Sequence, residues 1–401
     1  MRRIEIRNLG PISSANIELK RRNVIIGPQS SGKSCVLKTA CYCVWVEKRI
    51  ELAQSEEYFR SGDNFIKELE RFHKLYGYIQ GDTYIAYESE FMSFSYDNSS
   101  KEFRFSWQLE RLQYRRTKVS YIPAERNMVA AIPNWFDVKL ADDNIRSFMS
   151  DWETARRATT DKLDVLNLGV SYHYDNSSRR DNVLVDQTSN ALDLDLTNTS
   201  SGLQSLIPLF VHLNYLKNIH KHQEVRSVIQ SLEEKDFLEE WGAERVVEYI
   251  NQLLKSYSHH LDLDEQIKEE LQKEIAEEIN KQVISIRENY QNYHHCDIFL
   301  EEPESNLFPP TQSVLVHWLR TMTEGEHASN LFVATHSPYI LTAFLEEKDD
   351  RDLAVFLVKA DGVGSEVITA SETELGDIYD CGIDAFFNIE FFSSSHQAGD
   401  E

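Results

Sequence analysis

The octapeptide Gly27-Pro28-Gln29-Ser30-Ser31-Gly32-Lys33-Ser34 comes straight off the apolar run Val24-Ile25-Ile26 and leads into a helical stretch over residues 34–46. A strand, a glycine-bounded turn and a helix in that order commit the chain to an α/β layer architecture, with backbone N–H groups of the turn and of the helix start converging on one point. The glycines let those N–H groups curl around phosphates, Lys33 supplies a point charge for the outer phosphates, and Ser34 offers a hydroxyl to Mg²⁺. Nucleotide chemistry is therefore the leading expectation. The placement between strand and helix is what makes the match specific.

Around this loop the rest of the chain is organised as strands and helices. Residues 1–26 alternate as three short strands, with Ile4 and Ile6, a turn at Asn8-Leu9-Gly10-Pro11, then Ile17 and Leu19. Tyr- and Phe-rich alternation between about 82 and 122 predicts a β-rich lobe. From 211 to about 293 the pattern becomes charged amphipathic helix, clearest over 265–289, which at 1.5 Å per residue spans only about 38 Å and so predicts a short arm or cap. Apolar strands then return at 298–300, 331–334 and 353–358. The predicted fold class is α/β: a mostly parallel core sheet, an antiparallel β lobe and a helical insertion. The expected division is 1–210 and 294–392 as two parts of one head, 211–293 as the insertion, and 393–401 as a disordered tail.

Three further segments carry candidate chemistry. The strand Asp297-Ile-Phe-Leu-Glu301-Glu302-Pro303-Glu304 places paired carboxylates at the carboxyl end of a buried strand, where α/β sheets put their ligands. Nucleotide hydrolysis needs one carboxylate in the metal shell and another to orient or deprotonate water, tasks that suit Glu301 and Glu302 in turn. The strand Phe332-Val-Ala-Thr335-His336-Ser337-Pro338 also ends in polar residues, and His336 is placed to sense a terminal phosphate. Finally, Thr199-Ser200-Ser201-Gly202-Leu203-Gln204-Ser205 precedes an apolar run and reads equally as an ordinary helix cap or an anion-binding helix start.

Phosphate loop, serine-glycine segment, paired acids and then histidine, in that order, resemble the ABC-type ATPase head of SMC, RecF and OLD (overcoming lysogenisation defect) proteins. Residues 301–312 (Glu-Glu-Pro-Glu-Ser-Asn-Leu-Phe-Pro-Pro-Thr-Gln), Thr335-His-Ser-Pro338, the opening Ile6-Arg-Asn-Leu-Gly-Pro-Ile12 and Tyr121-Ile-Pro-Ala-Glu-Arg126 are similar to OLD-like AAA family ATPases of bacterial anti-phage defence. The resemblance implies ATP and Mg²⁺ as cofactors. It implies nucleotide contacts from Gly27, Pro28, Gln29, Ser30, Ser31, Gly32, Lys33, Ser34 and Cys35, and a metal held by Ser34 and Glu301. Catalysis would fall to Glu302, His336 and Lys33. Ser201 and Gly202 would reach the γ-phosphate of a nucleotide held by a second subunit, so the resemblance also implies a homodimer or higher homo-oligomer with composite sites. The segment reads Ser-Ser-Gly-Leu-Gln where transporters have Leu-Ser-Gly-Gly-Gln, and Asn306 and Phe308 stand where relatives often carry histidine. Arg126 recurs in the resemblance, with sheet-edge or partner contacts as its only suggested role.

OLD proteins follow such a head with a TOPRIM nuclease, which needs a glutamate and an Asp-x-Asp pair at strand ends. After His336 the one nearby Asp-x-Asp, Asp350-Arg-Asp352, precedes a strand instead of following one, and reads as a solvated loop. The resemblance then points to the stand-alone ATPase subunits of PARIS and Septu systems: a sensor or scaffold controlling a separately encoded effector, a nuclease, in abortive infection, with a phage-derived trigger or DNA as a further partner. The alternative is a RecF- or SMC-like ATPase of DNA repair; a third reading is a structural oligomer that binds nucleotide without turnover. Asp161-Lys-Leu-Asp164 does not match a guanine-reading motif.

Composition narrows these readings. With 401 residues, 41% hydrophobic composition and a formal charge of −24, the chain can bury a large core but cannot embrace DNA nonspecifically. The local basic clusters Arg2/Arg3, Lys20-Arg21-Arg22, Arg115-Arg116/Lys118 and Arg179-Arg180 each read as solvated surface runs. Five cysteines, odd in number and poorly spaced, suit neither a disulfide framework nor a zinc site and fit a reducing cytoplasm. No apolar stretch reaches the roughly 18–20 residues of a membrane helix, so no membrane partner is expected.

Overall fold

The computed structural model describes residues 2–132, 138–186, 191–221, 288–290, 292–346, 350–360, 362 and 364–382. The clearest predicted helix of the insertion, 265–289, lies almost wholly outside them, as does the predicted tail 393–401. Eleven strands form one sheet: β1 (Arg2–Leu9), β2 (Ile12–Leu19), β3 (Arg22–Ile26), β4 (Ile79–Glu88), β5 (Met92–Asp97), β6 (Glu102–Trp107) and β7 (Thr117–Ile122) from the first half, with four from the second. A separate four-stranded antiparallel sheet contains β8 (Leu163–Asp164), β9 (Val170–Asp175), β10 (Arg180–Val185) and β11 (Leu192–Asp195). The chain then returns to the large sheet with β12 (His295–Glu301), β13 (Asn330–Ala334), β14 (Leu353–Ala360) and β15 (Ser365–Thr369).

The large sheet runs β6-β5-β4-β1-β2-β15-β14-β3-β13-β12-β7. Its half from β14 to β7 is entirely parallel, and the half from β6 to β2 is antiparallel. The predicted lobe and core are thus one continuous sheet. Segment 117–122, expected in the lobe, belongs to the parallel half beside β12. The small second sheet had no counterpart in the sequence reading, because its strands are short and only half-buried.

Strand periodicity explains how both faces of the parallel half are covered. Val24 and Ile26, Ile298 and Leu300, Leu331 and Val333, Val355 and Leu357 all face one core. Their neighbours Ile25, Phe299, Phe332 and Phe356 face the other, where they meet α1 (Lys33–Ala53) through Val36, Leu37, Ala40 and Val44. The phenyl rings form a row, Phe299 to Phe332 at 6.0 Å and Phe332 to Phe356 at 5.8 Å, and burial of each contributes about 1.5–3 kcal/mol. On the first face lie the helices Asn144–Ala158, Ser201–Lys217, Pro309–Thr321 and Pro338–Leu345. Residue 211, the expected start of the insertion, lies inside the helix Ser201–Lys217.

The amino-terminal edge of the parallel half is locked by buried charge, which overturns the surface readings of Arg22, Asp350 and Arg116. Arg22 is buried, and its guanidinium and that of Arg320 close on the Asp350 carboxylate, with Arg22 Nε at 2.9 Å and Arg320 Nη2 at 3.1 Å from Oδ2. Asp350 is therefore an internal counter-ion, its side chain 4% exposed, whereas Arg351 and Asp352 are exposed as a solvated loop has them. Arg116 is also buried and lies over the Tyr293 ring. Nearby, Arg2 Nη1 donates to Asp297 Oδ1 at 2.6 Å and Asn330 Nδ2 to the same oxygen at 2.7 Å. Sequence hydropathy sees these arginines as surface because the groups they meet, Asp350 for Arg22, Asp297 for Arg2 and the Tyr293 ring for Arg116, are far away along the chain.

Two predictions follow from these clusters. Asp350→Ala leaves Arg22 and Arg320 without their shared anion and should cost about 3–5 kcal/mol of stability by urea denaturation, as removal of one partner of a buried pair does. Burial alone would raise the Asp297 carboxyl, but Arg2, His295 and Asn330 outweigh it and hold it at about 2 against an ordinary 3.8. The folded value lies below the unfolded one, so this stabilisation is complete above about pH 4 and drains as pH falls toward about 2. Denaturation midpoints of Asp297→Asn should be lower at neutral pH and lose less of their value than the parent's over that acid limb.

Candidate active site

The strands β3, β13 and β12 are neighbours and run in the same direction, with Ile25 opposite Ala334 and Ala334 opposite Glu301. Their carboxyl ends therefore deliver the phosphate loop, Thr335-His336 and the acid pair to one edge of the sheet. Hydrogen bonds continue past the strands into the loops: Thr335 N donates to Ile25 O at 3.1 Å, and Glu302 N to Ala334 O at 2.8 Å. The crevice at the carboxyl edge of a parallel sheet is where ligands bind in α/β proteins.

The loop itself can tolerate almost nothing but glycine at its ends. A Cβ on Gly27 would come to 2.8 Å of the Val358 carbonyl, and one on Gly32 to 2.5 Å of Ile12 Cδ1, where φ is already +105°. Between them Ser30 also takes a left-handed conformation. Lys33 bends back over the loop, its Nζ donating to Gly27 O at 2.9 Å and Pro28 O at 2.6 Å. Burial pushes the Lys33 ammonium down to about 8, against the opposing pull of Glu302 and Glu304, so the acid loop and the phosphate loop share one electrostatic field. Pro28, Gln29, Ser30 and Ser34 are exposed, and the Ser31 hydroxyl is buried without a hydrogen-bond partner. The Cys35 thiol is buried and directed at Leu9 O, 3.7 Å away, which leaves its backbone N–H as the group available to a nucleotide.

Facing the loop, Glu301 and Glu302 have diverging environments. The Glu301 carboxylate is buried, one oxygen has no hydrogen-bond partner, and it forms no ion pair among the described residues. The Tyr121 hydroxyl is directed toward it without closing a bond. A buried carboxylate with no ion pair among the described residues, at the same edge of the sheet as the exposed Ser34 hydroxyl, is a donor set of the hard-oxygen kind that suits Mg²⁺. Glu302 is part-exposed, pairs with His336 Nε2 at 3.4 Å and accepts from Ser305 Oγ at 3.3 Å. The His336 contact first, then the Ser305 hydroxyl and the Arg126 charge, hold its carboxyl below the ordinary range in spite of partial burial. At neutral pH Glu302 is an anion able to orient a water and polarise it.

Two residues that bind this geometry together were not assigned roles from sequence. Glu304 accepts from Thr335 Oγ1 at 2.9 Å and from His336 N at 2.7 Å, tying the acid loop to the histidine loop. Arg126, fully buried, donates to the carbonyls of Glu301 at 2.9 Å, Glu302 at 2.7 Å and Pro303 at 3.2 Å, which replaces the edge or partner contacts expected of it. No local pattern could have flagged either role, since both depend on partners far away in sequence.

Ser201 and Gly202 open the helix Ser201–Lys217, with Ser200 as its cap. Gly202 lies against the Asn306 carbonyl, 3.2 Å from where its Cβ would be, and Asn306 Nδ2 donates to Ser205 Oγ at 2.8 Å. Within one chain the helix start is thus fastened to the acid loop, and no hydrogen bond or ion pair joins it to residues 27–34 among the described residues. The structure brings Lys33, Glu301, Glu302 and His336 to one edge and leaves Ser201 and Gly202 beside it, with Ser201 exposed.

Among the described residues no helix is long and apolar enough to cross a membrane. No family model and no curated protein matches the chain. Among solved structures, the SMC head domain from Thermotoga maritima aligns over 92% of this chain and 98% of its own at 10% identity, with a TM-score of 0.42. The recombination mediator RecF, in a structure from the RecFOR pathway, aligns over 92% and 97% at 11% identity, with a TM-score of 0.30. At these scores the functional reading rests on the geometry of the site.

Proposed function

We propose that this chain is an ATP-hydrolysing head of the ABC type that works as a dimer with composite sites and passes its nucleotide state to a separately encoded effector in anti-phage defence. The observation that carries the reading is the convergence of Lys33, Glu301, Glu302 and His336 at the carboxyl edge of β3, β12 and β13. In it, backbone N–H groups of residues 30–35 and Lys33 hold the phosphates, and Ser34 and Glu301 hold Mg²⁺, which supplies charge neutralisation on the phosphates. Glu302 orients the attacking water and accepts its proton, while His336, already paired with Glu302, registers the terminal phosphate.

The dimer is supported by the position of the helix start, where Gly202 lies against its own acid loop and Ser201 is exposed instead of covering its own phosphate loop. A second copy would bring that helix start to this loop. Phe308 and Tyr339, among the exposed large hydrophobics, flank the acid and histidine loops where such a copy would meet them. Asp350, engaged by two arginines, is not free to serve as a nuclease metal ligand.

Glu302→Gln should keep Mg-ATP binding and lower turnover by about 10²–10³-fold, the scale of a lost general base; equal phosphate release from parent and variant would favour a non-hydrolysing structural role. Lys33→Ala and Gly202→Asp should each be inactive alone, and mixing the two should restore part of the activity, because a mixed dimer contains one intact composite site. A mixture as inactive as its components would refute the shared site. Co-purification with the product of a neighbouring gene tests the defence role, and full phage protection from this gene alone would count against it.

A further inference from the structure

The backbone of Glu302 is left-handed, with φ of +41°, a conformation in which a glutamate is strained by about 1–3 kcal/mol unless its surroundings impose it. Four residues on, Asn306 is left-handed as well, at +61°. The peptide groups on both sides of Glu302 are held from different elements: its N–H by Ala334 O on β13, and the successive carbonyls of 301, 302 and 303 by the single guanidinium of Arg126. Arg126 also reaches Pro123 O at 3.4 Å, in the turn that follows β7. One planar, forked cation therefore spans the ends of β7 and β12, and a lysine ammonium could not reproduce that fork.

We propose that Arg126 is a positioning residue for hydrolysis: by drawing three consecutive carbonyls toward itself it imposes the left-handed turn at Glu302, and that turn aims the Glu302 carboxylate at His336 and the phosphate loop. The inference rests on the proposed role of Glu302, while the clamp itself is built from the chain's own hydrogen bonds. Arg126 touches no reacting atom. Its burial lowers the guanidinium to about 10 against the pull of Glu304, Glu302 and Glu301, so it remains charged at neutral pH. The acids nearest in space raise its charge stability, while its bonds are spent on backbone. This division leaves the carboxylate of Glu302 free for His336 and Ser305.

The test compares Arg126→Lys and Arg126→Gln with the parent full chain in three measurements. Amide hydrogen exchange of nucleotide-free protein should rise about tenfold or more in peptides spanning 301–306 and stay unchanged in those spanning α1, as expected for a local opening. Binding of fluorescent ATP with Mg²⁺ should stay within about threefold, since Lys33 and the loop amides are untouched. Turnover should fall by about 10²-fold through kcat with KM little changed, the mark of lost transition-state positioning. Unchanged exchange at 301–306, or loss of binding in step with turnover, would overturn the inference. So would loss of cooperative folding in both variants, which would make Arg126 a general folding determinant. If exchange rises as expected while Glu302→Gln turns over like the parent, the clamp stands and the ATPase reading fails.

Discussion

Parallel pairing of β3 with β13, and of β13 with β12, is the constraint on which the site depends. Because Ile25, Ala334 and Glu301 are in register, three loops from distant parts of the chain emerge at the same height. A register shift of one residue would turn each strand's side chains to the opposite core and carry the acid pair away from the phosphate loop together with Phe299 and Phe332. The alternation of aliphatic and phenyl positions along β3, β12, β13 and β14 makes such a shift expensive. Hydrophobic packing in the middle of the sheet thus sets the geometry at its edge.

The two edges of the parallel half use charge in opposite ways. At the amino-terminal edge every buried charge finds a partner: Asp350 lies between Arg22 and Arg320, and Asp297 meets Arg2 and Asn330. Such pairs rarely add net stability over a well-packed apolar core, but losing one member is costly. At the carboxyl edge the buried Glu301 carboxylate forms no ion pair among the described residues, and Lys33 spends its ammonium on the carbonyls of its own loop. A buried anion and a desolvated cation at the same edge of the sheet are the observations on which the proposed binding of a metal-bound phosphate rests.

Much of this was legible along the chain, and the reasons are local. The strand before Gly27, the helix after Ser34, the strand ending at Glu301 and the strand ending before His336 are each set by apolar periodicity and a turn residue within a few positions. Arg22 and Asp350 were misread as surface for the reverse reason: a charged side chain looks solvated until the counter-ion 328 positions away is brought to it, and Arg116 looks so until the Tyr293 ring is brought beneath it. The small sheet from β8 to β11 was missed because its strands are short and partly polar, so alternation is weak. The segment 117–122 was placed in the wrong half because its Val-Ser-Tyr-Ile pattern fits an antiparallel or a parallel neighbour equally well.

The sequence by itself determined which chemical groups the molecule holds and the order in which they occur, because a glycine turn, a helix start and a strand end are decided by neighbouring residues. Only the tertiary structure decided how those groups are aimed. Arg126 finds its three carbonyls 175 to 177 positions away, and Glu304 finds Thr335 and His336 across two strands. Hydrogen bonds between loops form only after parallel pairing has aligned the strands that carry them, so the residues that position the acid at the edge of the sheet cannot be recognised before the sheet exists.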